Sequence, residues 1–316
     1  MDIQEEIISE RLKIYYPEKF PQKNSFAEDV KIGLTSERKF LLPKYFYDSA
    51  GSELFEQICS TEEYYPTRTE ISILKNLSDD ISERNSDKNL IVELGSGSSV
   101  KTDHILSSFC RKRDYLRYVP IDVSDILIDS SKVLVEKYKN LFITGIISFY
   151  EEGLEFIVSR DNSPKLIFFL GSSIGNFTEA EAIEFMKMLK DHMSNEDRLL
   201  IGFDMVKERK ILVDAYNDSQ GFTSLFNMNI LERINNELDG RFDVSKFEHR
   251  GVFNEERSRM EMHLLAKENM EVEIKKVNLK INFVKGEKIH TENSYKFTYD
   301  MINKLAEKSG LNFSDC

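Results

Sequence analysis

The run Leu90-Ile91-Val92-Glu93-Leu94-Gly95-Ser96-Gly97-Ser98-Ser99 decides the fold. Its first five residues, mostly apolar, read as a short buried strand. Gly95 and Gly97 follow at once, where the backbone must turn tightly and approach a ligand. Working outward, Tyr118–Asp122, Phe142–Ser148, Leu166–Leu170 and Leu199–Phe203 read as four more strands, although Pro120 argues against a central position for the first of them. Near-continuous apolar strands separated by helical patterns predict an α/β fold with a parallel sheet covered on both faces. In such a sheet, ligands bind beyond the carboxyl ends of the strands, where strand order reverses. The glycine loop stands at one such end.

The helices carry start signals. Thr67 and Glu70 have the spacing of a capping box ahead of Ile71, Leu74, Leu77 and Ile81. Thr178 and Glu181 repeat it ahead of Ala182, Phe185, Met186, Leu189 and Met193. Each set of apolar positions forms one stripe facing the sheet. Residues 1–66 are instead rich in tyrosine and phenylalanine. Residues 205–296 combine a long helical stretch, Lys207–Leu238, with strands at Arg259–Ala266, Val272–Val277 and Leu279–Val284. The expected division is therefore one domain of residues 68–204 plus 297–316, and a second of residues 1–67 plus 205–296 that covers the ligand edge.

Bulk properties exclude several classes. With 316 residues and a net charge of −12, the chain repels nucleic acid backbones and anionic membranes, so neither is an expected partner. Apolar runs such as Leu166–Leu170 are far short of a membrane span. The acidic start Met1-Asp2-Ile3-Gln4-Glu5-Glu6 has no signal-peptide core. Cys59, Cys110 and Cys316 are scattered and odd in number, which predicts reduced thiols in a cytoplasmic protein and no zinc site.

Two cofactor classes compete for the glycine loop. A dinucleotide site wants a third glycine for close helix packing, and Val100 stands there. Glu93, two places before Gly95, suits S-adenosylmethionine, whose methionine part carries an ammonium group. Asp122 ends the second strand, where a carboxylate takes ribose hydroxyls; alone, it reads equally as a helix cap. Gly171-Ser172-Ser173-Ile174-Gly175-Asn176-Phe177 follows the fourth strand and borders the reactive end of the cofactor. Asn176 offers both donor and acceptor for an amine or carboxylate, or else simply forms the turn.

With these residues on the page, the chain closely resembles the histidine-specific N-α-methyltransferases of ergothioneine biosynthesis. The resemblance runs through Tyr45–Phe55, Glu63–Glu70, Glu93–Lys101, Gly171–Phe177, Ala215–Asp218, Phe226–Asn229, Arg259–Met262 and Thr291–Lys296, in the family's order and over nearly the whole chain. It implies a Rossmann-like methyltransferase domain with a smaller substrate domain built from both flanks. It implies that Gly95, Lys101 and Asp122, with Glu93 and Gly97, bind S-adenosylmethionine. Asn176 and Tyr216 would hold the carboxylate and amino group of histidine, and Tyr47 and Tyr65 would line its pocket. Met262 would pack near the imidazole, while Glu292 and Ser294 would bond its nitrogens. Tyr47, Asn176 and Tyr216 are then the catalytic set, acting on a free amino acid in a monomer.

Read singly, the same residues are blander. Glu292 is an ion-pair partner for Lys288 or Lys296, Met262 is core, and Lys101 is a solvated helix residue. Two departures from the family pattern stand out. Ser148-Phe149 occupies the place where the family has an acid near the adenine. The chain also stops at Phe313-Ser314-Asp315-Cys316, where the family continues into a last antiparallel strand, so part of the sheet is expected to lack a partner. The competing functions are methylation of a prenylated tryptophan, which wants a roomier apolar wall, and a catalytically silent binding protein of the same fold.

Overall fold

Leu90, Val92 and Leu94 point to one side of a sheet and Ile91 and Glu93 to the other, because successive strand residues alternate faces; all five are buried. The computed structural model that places them describes residues 3–17 and 25–314. The first elements are β1 (Ile3–Ser9), β2 (Leu12–Pro17), α1 (Phe26–Thr35), α2 (Ser49–Ser60) and α3 (Tyr65–Arg84). Next come β3 (Leu90–Leu94), α4 (Val100–Lys112), β4 (Leu116–Asp122), α5 (Ile126–Lys137), β5 (Leu141–Ile147) and α6 (Tyr150–Val158). They continue with β6 (Lys165–Phe169), α7 (Glu179–Asp191), β7 (Arg198–Ile201), α8 (Arg209–Ala215) and α9 (Phe222–Leu238). The last are β8 (Phe247–Asn254), β9 (Arg259–Ala266), β10 (Met270–Ile274), β11 (Leu279–Phe283), β12 (Lys288–Tyr295) and α10 (Tyr299–Ser309).

The large sheet has the order β1-β2-β5-β4-β3-β6-β7. Strands β2 to β7 run parallel and β1 joins antiparallel at the edge. One face packs on α6, α7 and α10 through Leu154, Phe185, Leu189 and Leu305. The other packs on α3, α4 and α5 through Leu74, Leu106, Phe109 and Leu127. The five expected strands are present within one or two residues of their expected ends. Pro120 does sit inside β4, and the pairing of β4 to β5 is interrupted between Tyr118 and Ile121, where proline has no N–H to give. Strand order reverses between β3 and β6, which puts a ligand crevice at their carboxyl ends. β7 forms the other edge among the described residues.

Three expectations need correction. The hairpin of residues 3–17 pairs with β5 and extends the large sheet, so residues 1–67 do not belong together on the flank. α3 begins at Tyr65, two residues before Thr67, and Glu70 turns away to a partner in another loop; no capping box forms there. Leu77 on that helix is 45% exposed and lies off the buried stripe. The helical stretch Lys207–Leu238 is broken: Asp218 accepts from Phe222 N and Thr223 N, and Gly221 has a φ of +79°, which starts α9 afresh. The Thr178–Glu181 box forms as expected.

A third cluster of core residues, separate from the two on the large sheet, joins α1, α2 and α9 to the three-stranded sheet β12-β9-β8 and the hairpin β10-β11. It meets the large sheet beyond β7. Phe297 N donates to Asp204 O at 2.8 Å, and Val206 N donates to Phe297 O at 2.9 Å. Gly175 lies so close to the end of β12 that a Cβ there would stand 2.9 Å from Tyr295 O. No helix among the described residues is long and apolar enough to cross a membrane.

Candidate active site

The cofactor side is built at the ends of β3, β4, β5 and β6. Gly97 N donates to Asp122 Oδ2 at 2.8 Å, and Ser124 N donates to Oδ1 at 2.9 Å. Burial pushes the Asp122 carboxyl up, and those backbone donors oppose it. A carboxylate has about four lone-pair sites, so Asp122 keeps acceptor capacity for a ligand. A Cβ added at Gly97 would meet nothing within 4 Å, so the loop apex faces open space. Ser148 is buried and its hydroxyl donates to Phe149 O, while the Phe149 ring is 37% exposed at the mouth of the crevice. Tyr150 stands beneath the loop; its hydroxyl oxygen is 3.0 Å from the position a Cβ on Gly95 would take.

Glu93 and Lys101 sit differently from expectation. Glu93 points to the face of the sheet that carries α4 and is 2% exposed. It accepts from the hydroxyls of Thr102 and Tyr118, and burial pushes its pKa up to about 7. Its role as a direct partner of a ligand ammonium is therefore corrected: it fastens α4 to the sheet under the glycine loop. Lys101 pairs with Glu70 at 2.8 Å. Glu70 in turn accepts from Gly171 N at 2.8 and 3.0 Å, so α3 ties the loops after β3 and β6 together.

The residues expected to hold the substrate come from the flanks. Asp48 caps α2 by accepting from Gly51 N and also accepts from Asn229 Nδ2 at 2.8 Å, which fixes Tyr47 against α9. Tyr47, Phe55, Phe226 and Tyr64 form a chain of edge and tilted ring contacts, with centroids 5.5 to 6.1 Å apart, and Tyr64 reaches Tyr216 at 6.4 Å. Burial, reinforced by Glu292, holds the Tyr47 phenol well above its usual value. Glu292 and Ser294 lie opposite Met262 and Met260 in the β12–β9 register, on one face of the small sheet. Met262 and Ser294 are buried, and Glu292 is partly so. Asn176 ends the short 3₁₀ turn of residues 173–176, which Gly175 lets pack against β12.

A buried ionic knot lies behind Tyr216. Lys296 is 1% exposed and donates to Asp204 at 2.8 Å, to Ser294 Oγ at 2.8 Å and to the Tyr216 hydroxyl at 3.2 Å. Asp204 also accepts from the Tyr65 hydroxyl at 2.6 Å and from Lys207. Burial opposes both ions, yet each holds the other charged: Asp204 lies below its ordinary range and Lys296 above it.

Tyr65 donates its hydroxyl to Asp204, and its neighbour Tyr64 packs its ring against Phe55 and Tyr216. Glu292 does not pair with Lys296 as an ordinary surface acid would. Burial pushes its pKa up to about 7, the Lys296 charge alone pulls it down, and its carboxylate takes no hydrogen bond from the described residues. Sequence reasoning gave no role to Tyr64, Tyr150 or Asp204, read Glu70 only as part of a helix cap, and named Lys296 only as a surface ion-pair partner for Glu292. Asp204 carried a usable signal, an acid just past the fifth strand at the ligand edge; a buried lysine carries none. Among the described residues no cluster of histidine, cysteine or acids could hold a metal.

Comparison with known proteins decides the family. The family described as "histidine-specific methyltransferase, SAM-dependent" matches residues 26–316. The chain belongs to that family. Two relatives of the histidine-specific methyltransferase family stand out. The histidine N-α-methyltransferase of Mycolicibacterium smegmatis is 40% identical over 290 residues, spanning 91% of this chain and 89% of that protein. Its counterpart in Mycobacterium tuberculosis is 37% identical over 288 residues, with the same shares. More distant is the 4-dimethylallyltryptophan N-methyltransferase of Claviceps purpurea, 26% identical over 204 residues, which span 61% of this chain and 59% of that protein. A histidine-specific methyltransferase uses S-adenosylmethionine, and this crevice fits it: open space over Gly97, free acceptor sites on Asp122 and an exposed aromatic face at Phe149.

Proposed function

We propose that this chain methylates the α-amino nitrogen of free histidine, in repeated rounds that end at the trimethylated betaine. The observation that carries the reading is the Glu292 carboxylate. It lies partly buried beside Ser294 on β12 and takes no hydrogen bond from the described residues, which is the state of an acceptor kept for a ligand. An acceptor beside a hydroxyl suits the two nitrogens of imidazole and finds nothing on a phenyl ring. Relatives named for the same reaction support it at 40% and 37% identity.

When bound, S-adenosylmethionine supplies a sulfonium methyl group activated for transfer. The protein's own work is orientation and handling of a proton. Gly95, Gly97, Asp122, Ser148 and Phe149 line the cofactor crevice, with Glu93 and Lys101 bracing it from behind. Asn176 and Tyr216 hold the carboxylate and amino group of the amino acid at the switch point, where restricting their freedom lowers the barrier most. The amine must shed its proton before each round, and in this reading the Tyr47 hydroxyl relays it. Tyr47, Tyr64 and Tyr216 belong to one run of packed rings, and in this reading aromatic faces there favour the quaternary cation that forms as methyl groups are added. All these groups come from one chain, so the reading needs no second copy, and a monomer in the cytoplasm is part of the proposal.

The test is mass spectrometry of histidine incubated with the protein and S-adenosylmethionine. The expected result is stepwise addition of methyl groups ending at the trimethylated product. Methylation of 4-dimethylallyltryptophan in preference to histidine would overturn the reading in favour of the tryptophan class.

A further inference from the structure

Lys296 touches two residues assigned to the substrate and is not itself assigned a role. It is 1% exposed, at the point where β12 passes into the large sheet's edge. An ammonium group has three N–H donors and no acceptor. Here all three are spent: on Asp204, on the Tyr216 hydroxyl and on Ser294 Oγ. Each hydroxyl therefore must accept from Lys296, and neither can turn its own proton toward Nζ. Burial raises the Tyr216 phenol, and the Lys296 charge and the Ser294 hydroxyl oppose it. A ligand bearing two stronger acceptors draws both protons outward.

Resting on the histidine reading above, we infer that Lys296 is a positioning residue that fixes the hydrogen-bond polarity of the pocket. Its ammonium turns Tyr216 into a donor toward the substrate carboxylate and Ser294 into a donor toward one ring nitrogen. Glu292, on the same face of β12, is the acceptor for the other ring nitrogen. The pair Ser294–Glu292 thus demands a ring with one bare nitrogen and one N–H, which is neutral imidazole in a single tautomer. Without Lys296 neither hydroxyl is committed by a cation, and the pocket no longer fixes which ring nitrogen carries the proton. Asp204 serves as the anchor: held by Tyr65 and Lys207 as well, it keeps Lys296 in place and charged.

The protonation state of bound histidine tests this. Ring-labelled [15N]histidine is added to the parent protein with S-adenosylhomocysteine at pH 8 and observed by NMR, beside Lys296→Met. The parent is expected to give one protonated and one bare ring nitrogen. Lys296→Met is expected to bind S-adenosylhomocysteine as before, to raise KM for histidine about tenfold with a smaller change in kcat, and to lose the single-tautomer pattern of the bound ring. A side chain that merely filled space would leave the nitrogen shifts unchanged. A doubly protonated ring in the parent overturns the inference even if Lys296→Met does not fold, because Ser294 would then be accepting. Unchanged KM and nitrogen shifts in Lys296→Met overturn it as well. Failure of the parent to bind histidine at all overturns the histidine reading, and this inference with it.

Discussion

At Glu292 two opposing effects set the charge. Burial favours the protonated acid and the Lys296 ammonium favours the ion, with a balance at about pH 7. An acid with a raised pKa is ionised only above that value, so the acceptor weakens as pH falls through 7. Free histidine itself takes up a ring proton near pH 6.5. The acid limb of kcat/KM should therefore reflect both groups in the parent and the substrate alone in Glu292→Gln. Rejection of phenylalanine, on the order of 10⁴-fold in a site built for hydrogen bonding, should narrow in the same variant. Profiles of kcat/KM for both amino acids between about pH 5.5 and 9 would sink the assignment if parent and variant coincided. Single residues were also where the sequence was least legible. Tyr64 and Tyr65 are adjacent, and only the folded chain tells which hydroxyl meets Asp204 and which ring meets the pocket. Glu93 was read toward the ligand because of its distance from Gly95, but strand alternation points it at Thr102 and Tyr118.

Among the elements, the strands of the large sheet were legible because both faces of each are buried and the sequence is apolar throughout. α8 and α9 were not separated, since their apolar periodicity continues across the break and only Asp218 and Gly221 mark it. β12 pairs with β9 alone, across the β10–β11 hairpin, so its place in a sheet rests on a contact distant in sequence. The element that joins the two parts of the site is the turn of residues 173–176. Gly175 has no side chain there, and a Cβ would press on Tyr295 O at 2.9 Å and Tyr295 N at 3.3 Å. Both are backbone atoms that cannot rotate away, so Gly175→Ala must part Asn176 from β12. A misplacement of about 1 Å can cost about 10²-fold in rate. We expect kcat/KM for histidine to fall by about that factor in Gly175→Ala, with the affinity for S-adenosylhomocysteine, measured by calorimetry, changed by no more than about threefold. A variant with parental turnover would mean that the two parts of the site are not held by this contact.

Over the whole molecule, stability and function draw on the same buried acids. Glu93 is nearly sealed from solvent, and its pKa rises from 4.5 to about 7 on folding. Below pH 4.5 it carries its proton folded or unfolded and costs nothing. Between 4.5 and 7 the unfolded chain releases the proton first, so folding is progressively opposed, and above 7 the opposition is full. Three histidines act in the opposite sense. His263 is buried and His249 and His290 partly so; all three are held below 6.5, His263 at about 4, so the unfolded chain takes up their protons first and stability rises with pH up to about 6.5. The parent's melting temperature is thus a poor reporter of either set. The difference between parent and Glu93→Gln isolates one group. Glutamine fits the hydrogen bonds: its carbonyl can accept from Thr102, its amide can donate to the Tyr118 oxygen, and Tyr118 can turn its own proton to Ser99 Oγ at 3.2 Å. At pH 4.5 the variant should match the parent to within about 1 kcal/mol. By pH 8 it should be more stable by up to about 3 kcal/mol, the equivalent of the pKa displacement. Urea unfolding at a series of pH values would read the difference directly. A Glu93→Gln protein less stable than the parent at every pH would show that the ionised carboxylate is favoured by its surroundings. Glu93 would then act as a buried negative charge under the glycine loop, and its first reading as part of the electrostatics of the cofactor crevice would be restored.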